Sequence, residues 1–443
     1  MFKIKHMLTA VMPGKKKAGK KKKKGGKKKR PKGMLEDPGV VVKRLYKSYL
    51  DNCAKKKSVV CPRLKSSMKD CYENDRLIVK FILEPIPDFS DPEIKNVSVD
   101  PVIACIRHEW YRYIKELHVW DVPIPHEQLA NLALMLEKAV YPITRLDLVD
   151  CNLEAISATR LVQTSSVLFL TSLCLDYNEF GDDGCIGLCK GLQGNTVLLS
   201  LSLCYCDLGV KSGSALGDLI STTAIREVYL NGNNLEAEGA IEIIKLAADQ
   251  AEVESLQRAE QKEQKAEQEA LALLAEKERS RVKTALSEGD KEDNDKPSSA
   301  RSSKSGKGKK KKGKGKKKKS KEPPGPPPVG PWIHKLHIAD NGIDSYGPGS
   351  NYGPVIAMRL FRQLLQHSSC FSELDLDDNL IGDLGGRDIM EGLKARKEED
   401  LPGVKVSVTH RMNGDTFDEI VKLGSGLQKK KKKKGKGKKK KKK

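Results

Sequence analysis

The sequence predicts an α/β solenoid, a horseshoe with parallel strands on its concave face and return helices outside, and three observations carry that prediction. First, the stretch LTSLCLDYNEFGDDG places apolar residues at Leu170, Leu173 and Leu175 ahead of Asn178, a spacing that suits neither an amphipathic helix nor an alternating strand alone. Second, the frame recurs around Val122, Cys151, Cys206, Asn233, Asn341 and Asn379, each with apolar residues eight, five and three positions earlier and another two later. Third, measured at that position, the steps are 29 (122 to 151), 27 (to 178), 28 (to 206), 27 (to 233), 108 (to 341) and 38 (to 379).

Steps of 27 to 29 identify leucine-rich repeats of the long class, in which a short strand carries LxxLxL and a helix returns the chain. Each unit buries its leucines only against its neighbours. The asparagine amide satisfies backbone groups left unpaired where the strand turns away, and cysteine at Cys151 and Cys206 is a smaller, weaker substitute.

Taken in order, residues 1–33 form a lysine-rich tail, expected to be disordered because lysine and glycine offer no apolar surface against the ordering entropy. Residues 34–113 read as an N-terminal cap, with a strand at Leu77–Leu83 and a helix opening at Asp100-Pro101. The first repeat block covers 114–246, and the weak copy at Ile114, Leu117 and Val119 leads it. After Leu235 the return helix fails to stop: strong helix formers continue for some 50 residues, with no glycine after Gly239 and no proline. Between Leu256 and Leu271 no large apolar side chain occurs, so this part reads as a charged helix in solvent or awaiting a partner, with Glu254 and Arg258 paired along it. The insertion, 247–330, continues through a lysine tract and the stiff EPPGPPPVGP connector. Repeats resume over 331–423, closed by a C-terminal cap beyond Leu401, and 424–443 is a second tail. The 108-residue step is then one repeat with about 80 residues looped out, which closure entropy tolerates because it grows slowly with length.

The net charge of +23 belongs to the tracts. Lys15–Lys32, Lys304–Lys321 and Lys429–Lys443 hold 38 of the 82 basic residues and no acidic one, leaving 44 basic against 59 acidic residues elsewhere. The body is acidic, which argues against a basic nucleic-acid-binding domain. The tracts lack interleaved aromatics and almost lack arginine, so their binding is expected to be sequence-blind and salt-sensitive. Microtubule walls, nucleic acid, an anionic membrane surface and the chain's own acidic face all fit. An odd count of eleven cysteines argues against a disulfide framework. Cys185 and Cys189 lie one helical turn apart on a face with Leu188 and Leu192, which favours core over metal. No 18-residue apolar run predicts a membrane span.

No motif calls for a cofactor or a catalytic role. Gly308, Gly313 and Lys314 mimic a phosphate loop, but Gly315 replaces the hydroxyl residue and no strand precedes them. The outward strand positions alternate with the leucines. Their central column is His118, Asp147, Cys174, Ser202, Tyr229, His337 and Asp375. Glu116, Arg145, Glu227, Lys335 and Glu373 flank it on one side, and Trp120, Asp176, Asn231 and Asp377 on the other. Ser202 has no glycine-rich elbow and stands repeats away from His118, so no triad is expected. Seven carboxylates against two permanent cations make the face a candidate surface for a basic protein partner, with Trp120 and Tyr229 as anchors.

The order of parts resembles the leucine-rich repeat-containing protein 71 family, of the ribonuclease-inhibitor-like repeat class. IKELHVWDVPIPHEQLANLALMLEKAV running into ITRLDLVDCNLEA carries the resemblance, with the repeats to Leu235 and the lysine-rich insertion before IHKLHIADNGI. It covers roughly residues 77–390, while the lysine tracts at both termini depart from the family's pattern. The resemblance implies a non-enzymatic ciliary or axonemal interaction protein. Two alternatives stay open: a small-GTPase regulator, since Ran GTPase-activating proteins share this repeat class, and a nuclear RNA-associated factor, since KKKRPK fits a nuclear signal.

Overall fold

In a computed structural model the described residues are 36–86, 96–137, 140–163, 169–287, 328–344 and 352–426, with side chains described only to 278 in the long helix. The three lysine tracts and most of the proline-rich connector lie outside them. The order is α1 (Pro38–Lys56), α2 (Pro62–Glu73), β1 (Lys80–Leu83), α3 (Asp100–His108), β2 (Glu116–Trp120), α4 (His126–Leu136), β3 (Arg145–Val149) and α5 (Ala155–Val162). Then come β4 (Ser172–Cys174), α6 (Gly181–Leu192), β5 (Ser200–Ser202), α7 (Val210–Thr222), β6 (Glu227–Tyr229) and α8 (Glu236–Ser287). The chain ends in β7 (Lys335–His337), α9 (Gly353–His367), β8 (Glu373–Leu376), α10 (Gly382–Glu398), β9 (Lys405–Val408) and α11 (Gly414–Leu423). All nine strands form one parallel sheet in sequence order.

The expected frame sets the register. Leu117, Leu146, Leu173, Leu201, Val228, Leu336 and Leu374 pair strand to strand in one row, each at most 1% exposed. Burying each leucine stabilises the stack by about 1.5–3 kcal/mol, and only because a neighbouring repeat supplies the other wall. Leu336 and Leu374 belong to the same core as Leu175 and Leu230, so the stack is continuous across the insertion.

Asparagine performs the task expected of it. Asn178 is fully buried; its Oδ1 accepts from Cys151 N (3.0 Å) and Leu153 N (3.1 Å) of the preceding repeat. Its Nδ2 donates to the carbonyls of Leu148 and Leu175 (both 2.8 Å). Asn233 and Asn379 repeat this arrangement. The Cys206 thiol reproduces only the donating half, to Leu175 O at 3.3 Å, because sulfur is a poor acceptor.

Two features correct the sequence reading. β1 and β9 extend the sheet beyond the seven framed strands, so the cap segments are themselves part of the ladder. The docked part of α8 runs past residue 246: Ala247, Ala248 and Ala251 are buried, and Arg258 still donates to His367 O. This stretch packs between α7 and α9 through an alanine and isoleucine face, and α7 approaches so closely that a Cβ on Gly213 would strike the backbone of Gly239. From Ala259 to Glu278 every residue is exposed, about 30 Å of helix carrying the expected charges. The Glu254–Arg258 pair forms at 3.7 Å, half-buried at the base of this arm. At the other end of the insertion, Arg226, 8% exposed, donates to Gly330 O and Pro328 O and pins the returning chain beside β6.

Candidate functional site

The sheet presents its outward side chains in columns, and the expected central column forms as read: His118, Asp147, Cys174, Ser202, Tyr229, His337 and Asp375 lie in register, continued by Ile82 and Ser407. Two of its members are not on the surface. His118 (2% exposed) and Asp147 (5%) bond each other, Nδ1 to Oδ2 at 2.7 Å, and lateral neighbours cover them: Glu116 reaches the other ring nitrogen at 3.2 Å, Arg145 Nε donates to both Asp147 oxygens at 3.1 Å, and Trp120 packs edge-on at 5.6 Å. Trp120 is half-buried under the Arg63 guanidinium, 5.3 Å from the ring centroid. Its value as an open anchor is reduced accordingly. Tyr229 is half-buried, donates to Glu227 at 3.3 Å and meets His337 edge-on.

A nucleophilic centre does not assemble among these groups. Asp147 and Cys174 stand between His118 and Ser202 in the sheet, and Ser202 Oγ donates to Asp176 at 2.7 Å. Burial raises the Cys174 thiol far above its ordinary value, and pushes Cys204 up to about 11, so neither is poised as a thiolate.

The flanking column reads Lys80, Glu116, Arg145, Ser172, Ser200, Glu227, Lys335, Glu373 and Lys405. The two edge lysines were missed by the repeat frame, and they change the charge. Lys80–Glu116 (3.6 Å), Lys335–Glu227 (2.9 Å) and Lys405–Glu373 (2.7 Å) pair across strands, as Arg145 pairs with Asp147. The bond from His118 and then Lys80 hold the Glu116 carboxyl below its usual range, and Lys405 does the same for Glu373. Glu227 in turn holds the Lys335 ammonium above its ordinary value. Four cations thus offset four of the seven carboxylates counted from sequence, and this side of the face is close to neutral.

The acid excess sits at the opposite end of the strands. Trp120, Val149, Asp176, Cys204, Asn231, Ala339 and Asp377 form one column there. Each of the next residues, Asp121, Asp150, Tyr177, Tyr205, Gly232, Asp340 and Asp378, takes a left-handed φ of 51° to 69°. Six of the seven, all but Asp378, donate their N–H to the following repeat, Gly232 N to Ala339 O among them, at 2.9–3.0 Å. Six carboxylates and no cation occupy these two columns. Asp377 accepts from Thr409 Oγ1 at 2.9 Å, and Asn231 Oδ1 accepts from Ala339 N at 2.9 Å. In the midst of the acidic ledge, Tyr177 and Tyr205 stack with centroids 4.7 Å apart and planes 9° from parallel, 53% and 42% exposed.

Two stretches, 168–189 and 367–390, match the family model described as Leucine Rich repeat. With nine parallel strands in one sheet and helices alternating between them, the chain is a leucine-rich-repeat solenoid. A search of the curated proteins gave no match. No helix of the described residues is long and apolar enough to cross a membrane.

Proposed function

We propose that this chain is a non-enzymatic scaffold that holds a basic segment of a partner protein on its strand face while the lysine tracts grip an acidic filament. The observation that carries the reading is the division of charge on the sheet: ion-paired at the strand starts, acidic and aromatic at the strand ends, with no nucleophile assembled between. A basic segment gains attraction at the acidic margin, and the balanced side sets its position by matching pairs rather than by net charge. The tracts, rich in charge and poor in stacking groups, suit a surface such as a microtubule wall. The resemblance read from the sequence favours the axoneme of a cilium or flagellum as that surface.

Co-sedimentation with microtubules tests the filament half. Binding is expected at about 50 mM salt, with most of it lost at about 300 mM and all of it lost when the three tracts are removed. Binding that persists without the tracts contradicts it. For the partner half, capture from ciliated cells should fall when Asp340, Asp377 and Asp378 are changed to asparagine, and capture indifferent to those changes contradicts the assigned face.

A further inference from the structure

We infer that the Tyr177–Tyr205 stack is an arginine-reading site, which takes a guanidinium of the basic partner between Tyr177 and the neighbouring aspartates. This rests on the scaffold reading and specifies the partner chemistry it leaves open.

The argument starts from the backbone. Seven successive repeats place a left-handed residue after the strand, and five fill it with aspartate or glycine, the types that adopt this conformation at least cost. Two adjacent repeats fill it with tyrosine, at φ 59° and 54°, where a bulky side chain is disfavoured and where aspartate would serve the fold as well. Stability does not call for tyrosine here, because both rings remain about half exposed.

The rings are organised. Tyr205 lies flat over Gly232, whose missing Cβ leaves the space that the ring occupies, and Tyr177 stacks on its other side. The pile therefore runs along the column, and the outer face of Tyr177 is turned toward the preceding repeat. There the equivalent residue is Asp150, exposed, about one strand spacing of 4.8 Å away. Asp121 stands one repeat beyond, Glu179 beside it on the Tyr177 turn, and Asp340 and Asp378 on the far side of Gly232. Burial first, then Tyr177, Asp340, Cys204 and Asp378, raise the Tyr205 phenol, so nearby carboxylates act on that ring.

A planar cation answers both features, the π face and the adjacent carboxylates. Guanidinium stacks on tyrosine and presents a fork of donors to a carboxylate, whereas an ammonium is a compact, strongly hydrated point charge. A segment bearing spaced arginines is the occupant that fits. The chain's own tracts, made of lysine, supply charge without the plane.

The test titrates the full chain into a fluorescein-labelled glycine-serine peptide carrying three arginines, and into its lysine counterpart, at about 150 mM salt. Three proteins are compared: the unaltered chain, Tyr177→Asn with Tyr205→Asn, and Glu398→Gln with Asp418→Asn, two exposed carboxylates on α10 and α11 away from the strand face. Asparagine keeps the left-handed backbone, and unchanged circular dichroism verifies the fold. The expected result is tighter binding of the arginine peptide by about fivefold, its loss by about tenfold in the double tyrosine variant, and no change in the outer-helix variant. Equal binding of both peptides, or full binding by the tyrosine variant, overturns the inference. Loss in the outer-helix variant alone overturns it too, while leaving the scaffold reading in place. If neither peptide binds, the arginine site is wrong, and partner capture by the aspartate margin still decides the scaffold separately.

Discussion

Replacing Asn178 probes the physics of the stack at one atom group. Asn178→Ala removes an acceptor from Cys151 N and Leu153 N and a donor shared by Leu148 O, Leu175 O and Asp176 O, all at a site with no exposure. Each buried N–H left unpaired costs about 1–3 kcal/mol, and two are left, so the loss is about 3 kcal/mol after partial relaxation. Asn178→Cys is milder, about 1–2 kcal/mol, because a thiol donates to the carbonyls as Cys206 does but accepts little. Asn178→Asp keeps the shape and the acceptor yet sets a carboxylate among three carbonyls, and is expected to be the worst of the three. Urea unfolding followed by circular dichroism gives the order, and amide exchange at Cys151 and Leu153 shows whether the loss is local. Equal costs for alanine and cysteine, or a loss below about 0.5 kcal/mol for alanine, would refute the reasoning.

Arg396, 2% exposed, donates to the carbonyls of Pro402 (2.6 Å), Leu365 (2.8 Å), Ser368 (2.6 Å) and Phe371 (2.8 Å), and burial lowers its pKa to about 10. Arg396→Met is expected to cost about 3 kcal/mol in urea unfolding, since four acceptors lose their donor. His337 and His334 both sit below the ordinary histidine pKa, through burial first, against the opposing pull of Asp375 and Glu373 on His337. The unfolded chain then binds more protons near pH 6, so stability is highest above about 6.5 and declines as pH falls, and His337→Asn should flatten that decline between pH 7.5 and 5.5. Replacing residues 259–326 by a short glycine-serine linker should leave thermal unfolding nearly unchanged, because the docked part of α8 and the Arg226 clamp both remain. A large fall in melting temperature would show that the arm contributes to the stack.

The framed strands were legible because each leucine has one position and one neighbour on either side, which stamps a fixed spacing on the chain. The asparagine role followed from the same geometry. β1 and β9 escaped the frame because an end strand stacks on one side only: Phe81, Leu83, Val406 and Val408 are buried without the leucine pattern or an asparagine. Lys80 and Lys405 were missed with them, and so was the pairing that neutralises part of the face. The extra docked turns of α8 were hidden because alanine gives little apolar signal while permitting close packing. Burial of His118 and Asp147 comes from lateral neighbours two residues along the strand, which alternation alone does not weigh. The left-handed column had a signal, aspartate or glycine ahead of the asparagine, and the two tyrosines stand out only once that column is known.

Continuity of the sheet across the insertion is tested most directly by zero-length carbodiimide cross-linking with peptide mass spectrometry. Glu227 and Lys335, 108 residues apart in sequence (227 to 335) and 2.9 Å apart in space, should join as readily as Glu373 and Lys405 at 2.7 Å. Formation of the Glu373–Lys405 link without the Glu227–Lys335 link would mean two separate stacks and would contradict the account.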